Sequence, residues 1–422
     1  MKFTCKAAGL LRGIAPVVGV ATHGAAKDFD GANRINMEVA KDELLVSSFN
    51  GRVAIKNVIS NFTVDNLDLS VESPGTITLN STDLQNTLGA FRSNDELIIE
   101  VADNGTSKEF NISAKSDKDE FISLPCCTSP VTIPVKSDQI GTTIVADRAN
   151  FVYCVNKILF AIGFEKDVEK YRYWVLRVKG DKSRFVAGTG GRFAVLDVEG
   201  KDLIQSKKDV TLLTPKEHTE VIMKTLSSMT DEKMTIKKTS DKSDTTQIIF
   251  EIGRLEIIFV EVNPDITYID ENKILDKVYP HKFVTDVSDW EYLAKGITAT
   301  YNEDLRKEKK VQVASAVVSA DKTNIIVKID EVLKASRKVP IIDCRSDSGE
   351  VEWKCVAGYL KEIADYGTTG GRVQVEIESP KSAVIVRHYA SDTVKDGSVL
   401  KTTNESTGMS EWFTVFFVTM QE

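Results

Sequence analysis

Apolar residues recur along this chain with two different periods. In some segments they fall at every third or fourth position, which predicts helices with one buried face. Near the N-terminus, Leu10 and Ile14 lie on one such face and Arg12 lies on the other. Shorter runs between these segments, such as LIIEV at 97–101 and TNIIVKI at 323–329, are rich in β-branched residues and predict strands. The pattern therefore predicts amphipathic helices packed on β-sheets.

One plan of elements repeats along the chain: a short strand, an amphipathic helix, then further strands. Three copies have predicted helix starts at Lys6, Arg148 and Ser288, about 140 residues apart, which is the size of a domain. A second copy of the plan follows each of these three. The second copies lie at 76–101, 209–238 and 350–379.

The six strand–helix–strand units form three pairs, so we predict three repeated domains. The expected bounds are 1–128, 129–279 and 280–422. Each unit combines one helix with short strands, and the predicted fold class is α+β.

Charge limits the possible partners without naming one. The chain has 54 Lys and Arg residues against 62 Asp and Glu residues, a net charge of −8. This balance argues against a protein that binds nucleic acid over its whole surface, but it allows a locally basic face. No apolar run reaches the roughly 20 residues that a membrane span needs, so no membrane partner is expected.

The cysteines and histidines argue against a disulfide framework and a zinc site. Six cysteines are scattered without a C-x-x-C pair, and the chain has four histidines. This usage is typical of reduced thiols in a cytoplasmic protein. We expect no metal and no other cofactor.

A glycine-rich segment, GTGGR at 188–192, is a candidate phosphate loop. A phosphate loop needs a helix after it, because the helix N-terminus supplies the amide donors. Here the next residues, 193–198 (FAVLDV), predict a strand. The segment is therefore predicted to be the turn of a β-hairpin.

The sequence holds no Walker loop, no H-E-x-x-H and no G-x-S-x-G. Asp265 and Asp270 lie close together, but a solvated linker between the second and third domains explains them equally well. We therefore predict that the protein is not an enzyme. The alternative to the function given below is a non-catalytic β-rich adaptor or structural protein.

The whole chain resembles the bacterial-type DNA sliding clamp, the β subunit of the replicative polymerase. The resemblance rests on the opening MKFTCKAAGLL, the three paired repeats, RYWVLRVKG followed by VAGTGGRFAVLDVE, and the final WFTVFFVTMQE. It implies a head-to-tail homodimeric ring with helices lining the hole and sheets outside. Such a ring encircles double-stranded DNA without sequence preference. Three repeated pairs in one chain favour this dimer over the trimeric clamp of two-domain subunits.

A sliding ring needs weak phosphate contacts that ignore sequence, and scattered cations on inward helices provide them. The resemblance therefore implies a set of basic helix residues that face DNA. These are Arg12, Arg148, Lys157, Lys216, Lys224, Lys295 and Lys361.

The resemblance also implies a hydrophobic pocket, with the glycine-rich hairpin as one wall. It would capture short peptides from the replicative polymerase, the clamp loader and other proteins with clamp-binding motifs. The implied pocket residues are Val175, Gly190, Gly191, Arg192, Phe193, Lys277, Val278, Lys381, Ala383, Phe416, Phe417, Val418, Thr419 and Met420.

The chain departs from the family in three places. The family's turn reads Asp-Gly-His-Arg followed by leucine, whereas this turn reads Thr-Gly-Gly-Arg-Phe at 189–193. The tail lacks the family's Met-Pro-Met-Arg character, and polar expansions lengthen the chain near 237–246 and 391–411. These departures indicate a different peptide preference and would suit a phage or mobile-element member.

For ring closure, the resemblance sets the first domain of one subunit against the third domain of the other. Phe110 matches an edge-strand aromatic residue at the family's interface, although a core phenylalanine is the alternative. On the partner side the family's aliphatic pair falls near Ala299 and Thr300, which are less apolar.

Overall fold

The structure is a computed structural model of the chain. It describes residues 1–23, 26, 29–103, 105, 107–137, 139–163, 168–200, 203–239, 246–261, 268, 270–300, 313–330, 334–346, 351–365, 371–379, 382–389, 394–395, 398–399, 403–404 and 409–417. The chain divides into two compact units. Unit 1 is Met1–Val152 with Ser206–Pro264, and unit 2 is Tyr153–Gln205 with Asp265–Glu422.

Seven α-helices lie in the described part of the chain. They are α1 (Ala7–Thr22), α2 (Ser81–Gly89), α3 (Arg148–Ile158), α4 (Lys216–Ser228), α5 (Asn272–Leu275), α6 (Val287–Thr300) and α7 (Ala357–Asp365). Single 3-10 turns occur at Leu159–Ala161 and Glu169–Arg172. None of the described helices is both long enough and apolar enough to cross a membrane.

The strands are mostly short and antiparallel. They are β1 (Lys2–Lys6), β2 (Arg34–Val39), β3 (Leu44–Phe49), β4 (Val53–Ile59), β5 (Ser70–Ser73), β6 (Gly75–Asn80), β7 (Glu96–Asp103), β8 (Lys108–Ala114), β9 (Asp117–Pro125), β10 (Ile140–Asp147), β11 (Tyr173–Gly180), β12 (Lys182–Gly188), β13 (Arg192–Glu199), β14 (Ile204–Pro215), β15 (Lys233–Thr239), β16 (Gln247–Ile252), β17 (Leu255–Val260), β18 (His281–Asp286), β19 (Val313–Val318), β20 (Asn324–Asp330), β21 (Lys334–Pro340), β22 (Asp343–Ser346), β23 (Glu352–Val356), β24 (Arg372–Ile377), β25 (Val384–Tyr389), β26 (Val394–Lys395), β27 (Ser398–Val399), β28 (Thr403–Asn404) and β29 (Met409–Phe417).

The six predicted strand–helix–strand units are all present. They are β1-α1-β2, β6-α2-β7, β10-α3-β11, β14-α4-β15, β18-α6-β19 and β23-α7-β24. The α+β prediction is confirmed, and so are the strands predicted at 97–101 and 323–329, which lie in β7 and β20. The short helix α5, which follows the segment predicted to be a linker, was not predicted.

Local sequence explains where the helices begin. Asn80 precedes α2, and its side-chain oxygen accepts hydrogen bonds from the amides of Thr82 (3.0 Å) and Asp83 (3.1 Å). Pro215 precedes α4, where its missing N–H costs nothing. Helices α1 and α3 begin at Ala7 and Arg148, within one residue of the predicted starts.

Unit 1 contains two sets of paired strands. One sheet has the order β5-β1-β7-β8-β9, so β9 is its edge. The other set runs β6-β2-β3-β4-β17-β16-β15-β10. Helix α1 packs against α2, α4, β3 and β4, with Leu10 and Ile14 fully buried as predicted.

Unit 2 has the same kind of arrangement. A four-stranded sheet has the order β21-β20-β19-β23, with β21 at one edge. A longer set runs β11-β12-β13-β29-β25-β24-β18-β22. Helices α6 and α7 pack on each other, and Trp290 of α6 is buried with its Nε1 donating to Thr285 Oγ1 at 2.7 Å.

Candidate functional site

The glycine-rich segment is a tight turn between β12 and β13, as predicted. The Thr189 amide donates to the carbonyl of Arg192 at 2.7 Å. The amides of Gly191 and Arg192 both donate to Thr189 Oγ1 at 3.3 Å. We call residues Thr189–Arg192 the hairpin turn. Its amides bond within the turn, so they are not arranged to hold a phosphate.

The hairpin turn lies against helix α7. The guanidinium of Arg192 forms an ion pair with Glu362 and lies over the ring of Phe160, 5.6 Å from the ring centre. A Cβ atom on Gly191 would lie 2.7 Å from the hydroxyl of Tyr359, so the absence of a side chain permits this close approach. A helix more than 150 positions away in sequence therefore holds the turn.

Glu362 is unusual because burial dominates its electrostatics. Its side chain is 17% exposed, and its Oε2 atom has no hydrogen-bond partner among the described residues. Burial raises the pKa of Glu362 to about 7, although the charge and hydrogen bond of Arg192 act in the opposite direction. The carboxyl is therefore divided between its charged and neutral forms near neutral pH.

The C-terminal strand β29 lies directly beside the hairpin. It pairs antiparallel with β13, which sets Phe193 opposite Phe416 and Arg192 opposite Phe417. The other side of β29 pairs with β25, and Val384 is opposite Phe417. The structure thus brings together two segments of the predicted pocket that lie far apart in sequence.

Other predicted pocket residues are more scattered. Lys277 forms an ion pair with Glu378 at 2.5 Å, and Val278 beside it is 84% exposed. Ala383 directly precedes β25 and is partly buried. Val175 on β11 is fully buried, so its side chain belongs to the core of unit 2. Four predicted residues lie outside the described part of the chain: Lys381, Val418, Thr419 and Met420.

The predicted DNA-facing residues of unit 1 lie on three helices. Arg12 of α1 is exposed, and Lys216 is partly buried at the start of α4. Lys224 of α4 is exposed, with its Nζ 2.9 Å from Nε2 of His23. Arg148 has a structural role, because its guanidinium donates to carbonyls of Leu226 (2.9 Å) and Asp231 (2.7 Å) at the end of α4.

The predicted DNA-facing residues of unit 2 also differ in exposure. Lys295 of α6 is exposed, and Lys361 of α7 lies 3.6 Å from Asp365. Lys157 is partly buried over the ring of Tyr153 and lies near His388. Burial, with a smaller contribution from Lys157, lowers the pKa of His388 to about 3, so this histidine is neutral at pH 7.

The placement of Phe110 corrects one prediction. Phe110 is not on an edge strand, because β8 lies between β7 and β9, and its side chain is fully buried in this chain. The edge is β9, where Phe121 is 61% exposed beside the exposed Ile122. The sequence did contain a signal for this second strand, because apolar and polar residues alternate in DEFISLP at 119–125, shortly after the segment that contains Phe110. Ala299 and Thr300 are the last two residues of α6.

The edges of the two smaller sheets carry opposite charge. Strand β9 begins Asp-Lys-Asp-Glu, and Asp117 and Glu120 are exposed. Strand β21 reads Lys-Ala-Ser-Arg-Lys-Val-Pro, and its Arg337 lies 4.5 Å from the ring centre of the exposed Tyr292. By sequence the β9 edge is net negative, with Lys118 among three acidic residues, and the β21 edge is positive; an exposed aromatic ring accompanies each edge.

A cavity of about 370 Å³ lies in unit 1, away from these features, between β3, β4 and the β16–β17 hairpin. It is lined by Leu45, Lys56, Val58, Glu251, Gly253, Arg254 and Glu256, none of which belongs to the predicted pocket. Within the described residues no cluster of three or more histidine, cysteine or acidic side chains could hold a metal ion.

The fold can be compared with known structures. The DNA polymerase sliding clamp of Bacillus subtilis matches with a TM-score of 0.79 at 11% identity, over 100% of this chain and 99% of that one. The DNA polymerase III β subunit of Pseudomonas aeruginosa matches with a TM-score of 0.78 at 15% identity, over 100% of both chains. This chain has the sliding-clamp fold.

The β subunit from Streptococcus pyogenes also matches this clamp fold over 100% of both chains, with a TM-score of 0.76 at 12% identity. No protein-family model matches the sequence, and neither does any curated protein. Because identity is this low, the likeness identifies the clamp fold, and the site residues have to be argued from their own contacts.

Proposed function

We propose that the protein is a DNA sliding clamp, a non-catalytic processivity factor that encircles duplex DNA and tethers a replicative polymerase. The observation that carries this proposal is the full-length match to solved sliding clamps, with all six strand–helix–strand units present. We propose three clamp domains at 1–128, 129–279 and 280–422, a head-to-tail homodimer, and a cytoplasmic location. The other proposed partners are a clamp loader and proteins with clamp-binding motifs.

Topological retention on DNA tests the proposed function. A closed ring on circular DNA should resist salt, because it is held by linkage and not by phosphate contacts. The protein is assembled on nicked circular DNA by dilution and reconcentration, then filtered through a sizing column in high salt. We expect retention on circles and loss after a restriction enzyme linearises them. Equal loss from both substrates would contradict a ring and favour the adaptor.

Exposed cations on α1 and α4 support the DNA contact. Both helices lie in unit 1 and pack on each other, and they carry Arg12 and Lys224. The double change Arg12→Glu with Lys224→Glu should weaken low-salt DNA binding and flatten its salt dependence. Lys41→Glu, an exposed change in the turn between β2 and β3, is the control and should have little effect. Equal effects would argue against inward helices.

For ring closure we propose that β9 of one copy meets β21 of its partner. Unpaired edge strands need to be covered, and an acidic edge facing a basic edge excludes pairing of like edges. Each subunit offers one edge of each kind, so two copies can close a ring. This assignment replaces Phe110 with Phe121 as the exposed aromatic residue of the interface.

A charge-swap pair tests this closure. Variant A carries Asp117→Lys and Glu120→Lys, and variant B carries Lys334→Glu and Lys338→Glu. Each alone should be mostly monomeric by light scattering at 46.7 kDa, since its two edges repel. Mixing A and B should restore a dimer, because both contacts then join opposite charges. If A and B alone form stable dimers, the edges do not close the ring.

We further propose the peptide pocket beside the hairpin turn, formed with β29 and the exposed Val278. A peptide with leucine and phenylalanine anchors should bind with micromolar affinity, about 8 kcal/mol. Val278→Glu should remove binding in a fluorescence-anisotropy titration, whereas Val168→Glu, at another exposed valine of unit 2, should not. Unchanged binding in Val278→Glu would place the pocket elsewhere.

A further inference from the structure

The contact between the hairpin turn and α7 has features that simple packing does not need. The turn brings a cation, Arg192, onto a carboxyl group that is almost covered. One oxygen of that carboxyl, Oε2 of Glu362, is buried, and no group in the described part of the chain hydrogen-bonds to it. A buried charged oxygen without a donor is costly, whereas a protonated oxygen in the same place costs less.

We propose that Glu362 is a positioning residue that holds the hairpin turn against α7, and that the turn loosens when Glu362 loses its proton. The functional meaning of this inference rests on the proposed peptide pocket, since the turn would be one of its walls. The positioning itself rests on three contacts: the Arg192–Glu362 ion pair, the Arg192–Phe160 stacking, and the approach of Gly191 to Tyr359.

The groups that face Glu362 determine the sign of the pH response. Burial is the largest influence and raises its pKa, while Arg192 lowers it; on α7 itself Asp365 raises it and Lys361 lowers it. Tyr359 on the same helix also faces Glu362, and burial is the main reason why the pKa of Tyr359 is raised. In this proposal the turn is what covers Glu362, so lifting it exposes the carboxyl and removes Arg192 together.

Because burial outweighs Arg192, lifting the turn returns the pKa of Glu362 from about 7 toward its ordinary value of 4.5. The packed turn therefore binds the proton more tightly than the lifted turn does. By linkage, rising pH favours the lifted turn, and the opening equilibrium should increase about tenfold between pH 6 and pH 8.

Hydrogen exchange of the turn amides measures this opening directly. In the full-length protein, protection of residues 189–193, corrected for intrinsic exchange rates, should fall about tenfold from pH 6 to pH 8. Glu362→Gln keeps the shape and an oxygen that accepts from Arg192, but it cannot ionise. Its protection should exceed that of the wild type already at pH 6, because the wild-type carboxyl ionises in the lifted state above pH 4.5, and it should not change at pH 8. Glu362→Ala should be poorly protected at both pH values.

The matched control is Asp365→Asn, the same carboxyl-to-amide change on the same helix. Its side chain is about half exposed and pairs with Lys361, so the tenfold response should remain. A wild-type profile that is flat with pH, or a Glu362→Gln profile that follows the wild type, would overturn the proposal.

Adding the labelled leucine–phenylalanine peptide separates this inference from the proposed pocket. If the turn is a pocket wall, bound peptide should raise protection of the same amides at both pH values. No effect of the peptide would reject the pocket, while the pH profile of Glu362→Gln would still decide the positioning role.

Discussion

Two hairpins of this molecule each form ion pairs with a segment that is distant in sequence. The carboxyl groups of the two sets of ion pairs differ in their pKa values. The β12–β13 hairpin of unit 2 supplies Arg192 to the single carboxyl of Glu362. The β16–β17 hairpin of unit 1 supplies two carboxyls, Glu251 and Glu256, to Lys136, at 2.8 Å and 2.5 Å.

The pKa values of the carboxyls shift in opposite directions. Burial tends to raise the pKa of Glu251, but two lysines, Lys136 and Lys237, outweigh it and the net shift is downward. Glu362 is hydrogen-bonded by one cation, Arg192, while Lys361 and Asp365 act in opposite directions, and burial prevails. Both carboxyls are about one-fifth exposed. The difference teaches that the balance between desolvation of a carboxyl and the cations that hydrogen-bond to it decides whether an ion pair stabilises the charged state.

The largest effect is expected from removing the lysine that pairs with the β16–β17 hairpin. Lys136→Met leaves Glu251 opposite Glu256 on adjacent strands, with Lys237 still paired to Glu251, so like charges repel. The free energy of unfolding at pH 7 should fall by about 2–3 kcal/mol, measured by urea denaturation.

The pH dependence of this loss gives an internal check. The lowered pKa of Glu251 means that its stabilising effect is present above pH 4.5 and is lost as pH falls through its folded pKa. The deficit of Lys136→Met should therefore shrink in acid. The control is Lys115→Met, which removes an exposed pair with Glu96 and should change little. A deficit independent of pH would show that packing, not charge, is lost.

Glu362→Gln should raise the free energy of unfolding, whereas Lys136→Met lowers it, and the change should be smaller. A raised pKa means that ionising Glu362 costs stability, so folding is disfavoured as pH rises from 4.5 through about 7. The variant should be more stable than the wild type by about 1–2 kcal/mol at pH 8 and equal to it at pH 4. Thermal or urea denaturation at both pH values measures this; a less stable variant at pH 8 would reverse the comparison.

The turn glycines extend the comparison to the backbone. Gly253 in the β16–β17 turn has a φ of +56°, a region that disfavours residues with a Cβ atom. Gly253→Ala should cost about 1 kcal/mol, because the strain lies in the chain itself. No second-site change at a neighbouring side chain should recover it, and a recovery would locate the cost in contacts instead.

Gly191→Ala should have the smallest effect and should be reversible by a partner change. Its new Cβ would lie 2.7 Å from the Tyr359 hydroxyl but 3.8 Å from the ring carbon that carries it. Tyr359→Phe removes the hydroxyl, so the double variant should regain most of a loss of less than about 1 kcal/mol. A double-mutant cycle on unfolding free energies measures this coupling; additive losses would contradict a direct clash.

Much of the architecture could be predicted from periodicity alone. Helical stripes and β-branched runs located all six units, and their spacing showed the threefold repeat. The hairpin turn was predicted because a strand follows its glycines. Short-range patterns predict these elements because each helix or strand buries one face, which gives its apolar residues a regular spacing along the sequence.

The electrostatic features of the candidate site were not predictable in the same way. The sequence shows Arg192 and Glu362 as ordinary charged residues 170 positions apart. Nothing local indicates that the glutamate is buried, or that Tyr359 lies where a Cβ of Gly191 would be. The edge-strand placement of Phe110 was wrong for a related reason, since only the sheet order decides which strand is at the edge.

By itself, then, the sequence determined the elements, their order and their threefold repetition, because these follow from local periodicity. The tertiary structure alone decided which strand is an edge, which basic side chain is paired within the chain, and which carboxyl keeps its proton near neutral pH. Those properties depend on desolvation and on distances between residues that are remote in the chain, and neither quantity is encoded in neighbouring positions.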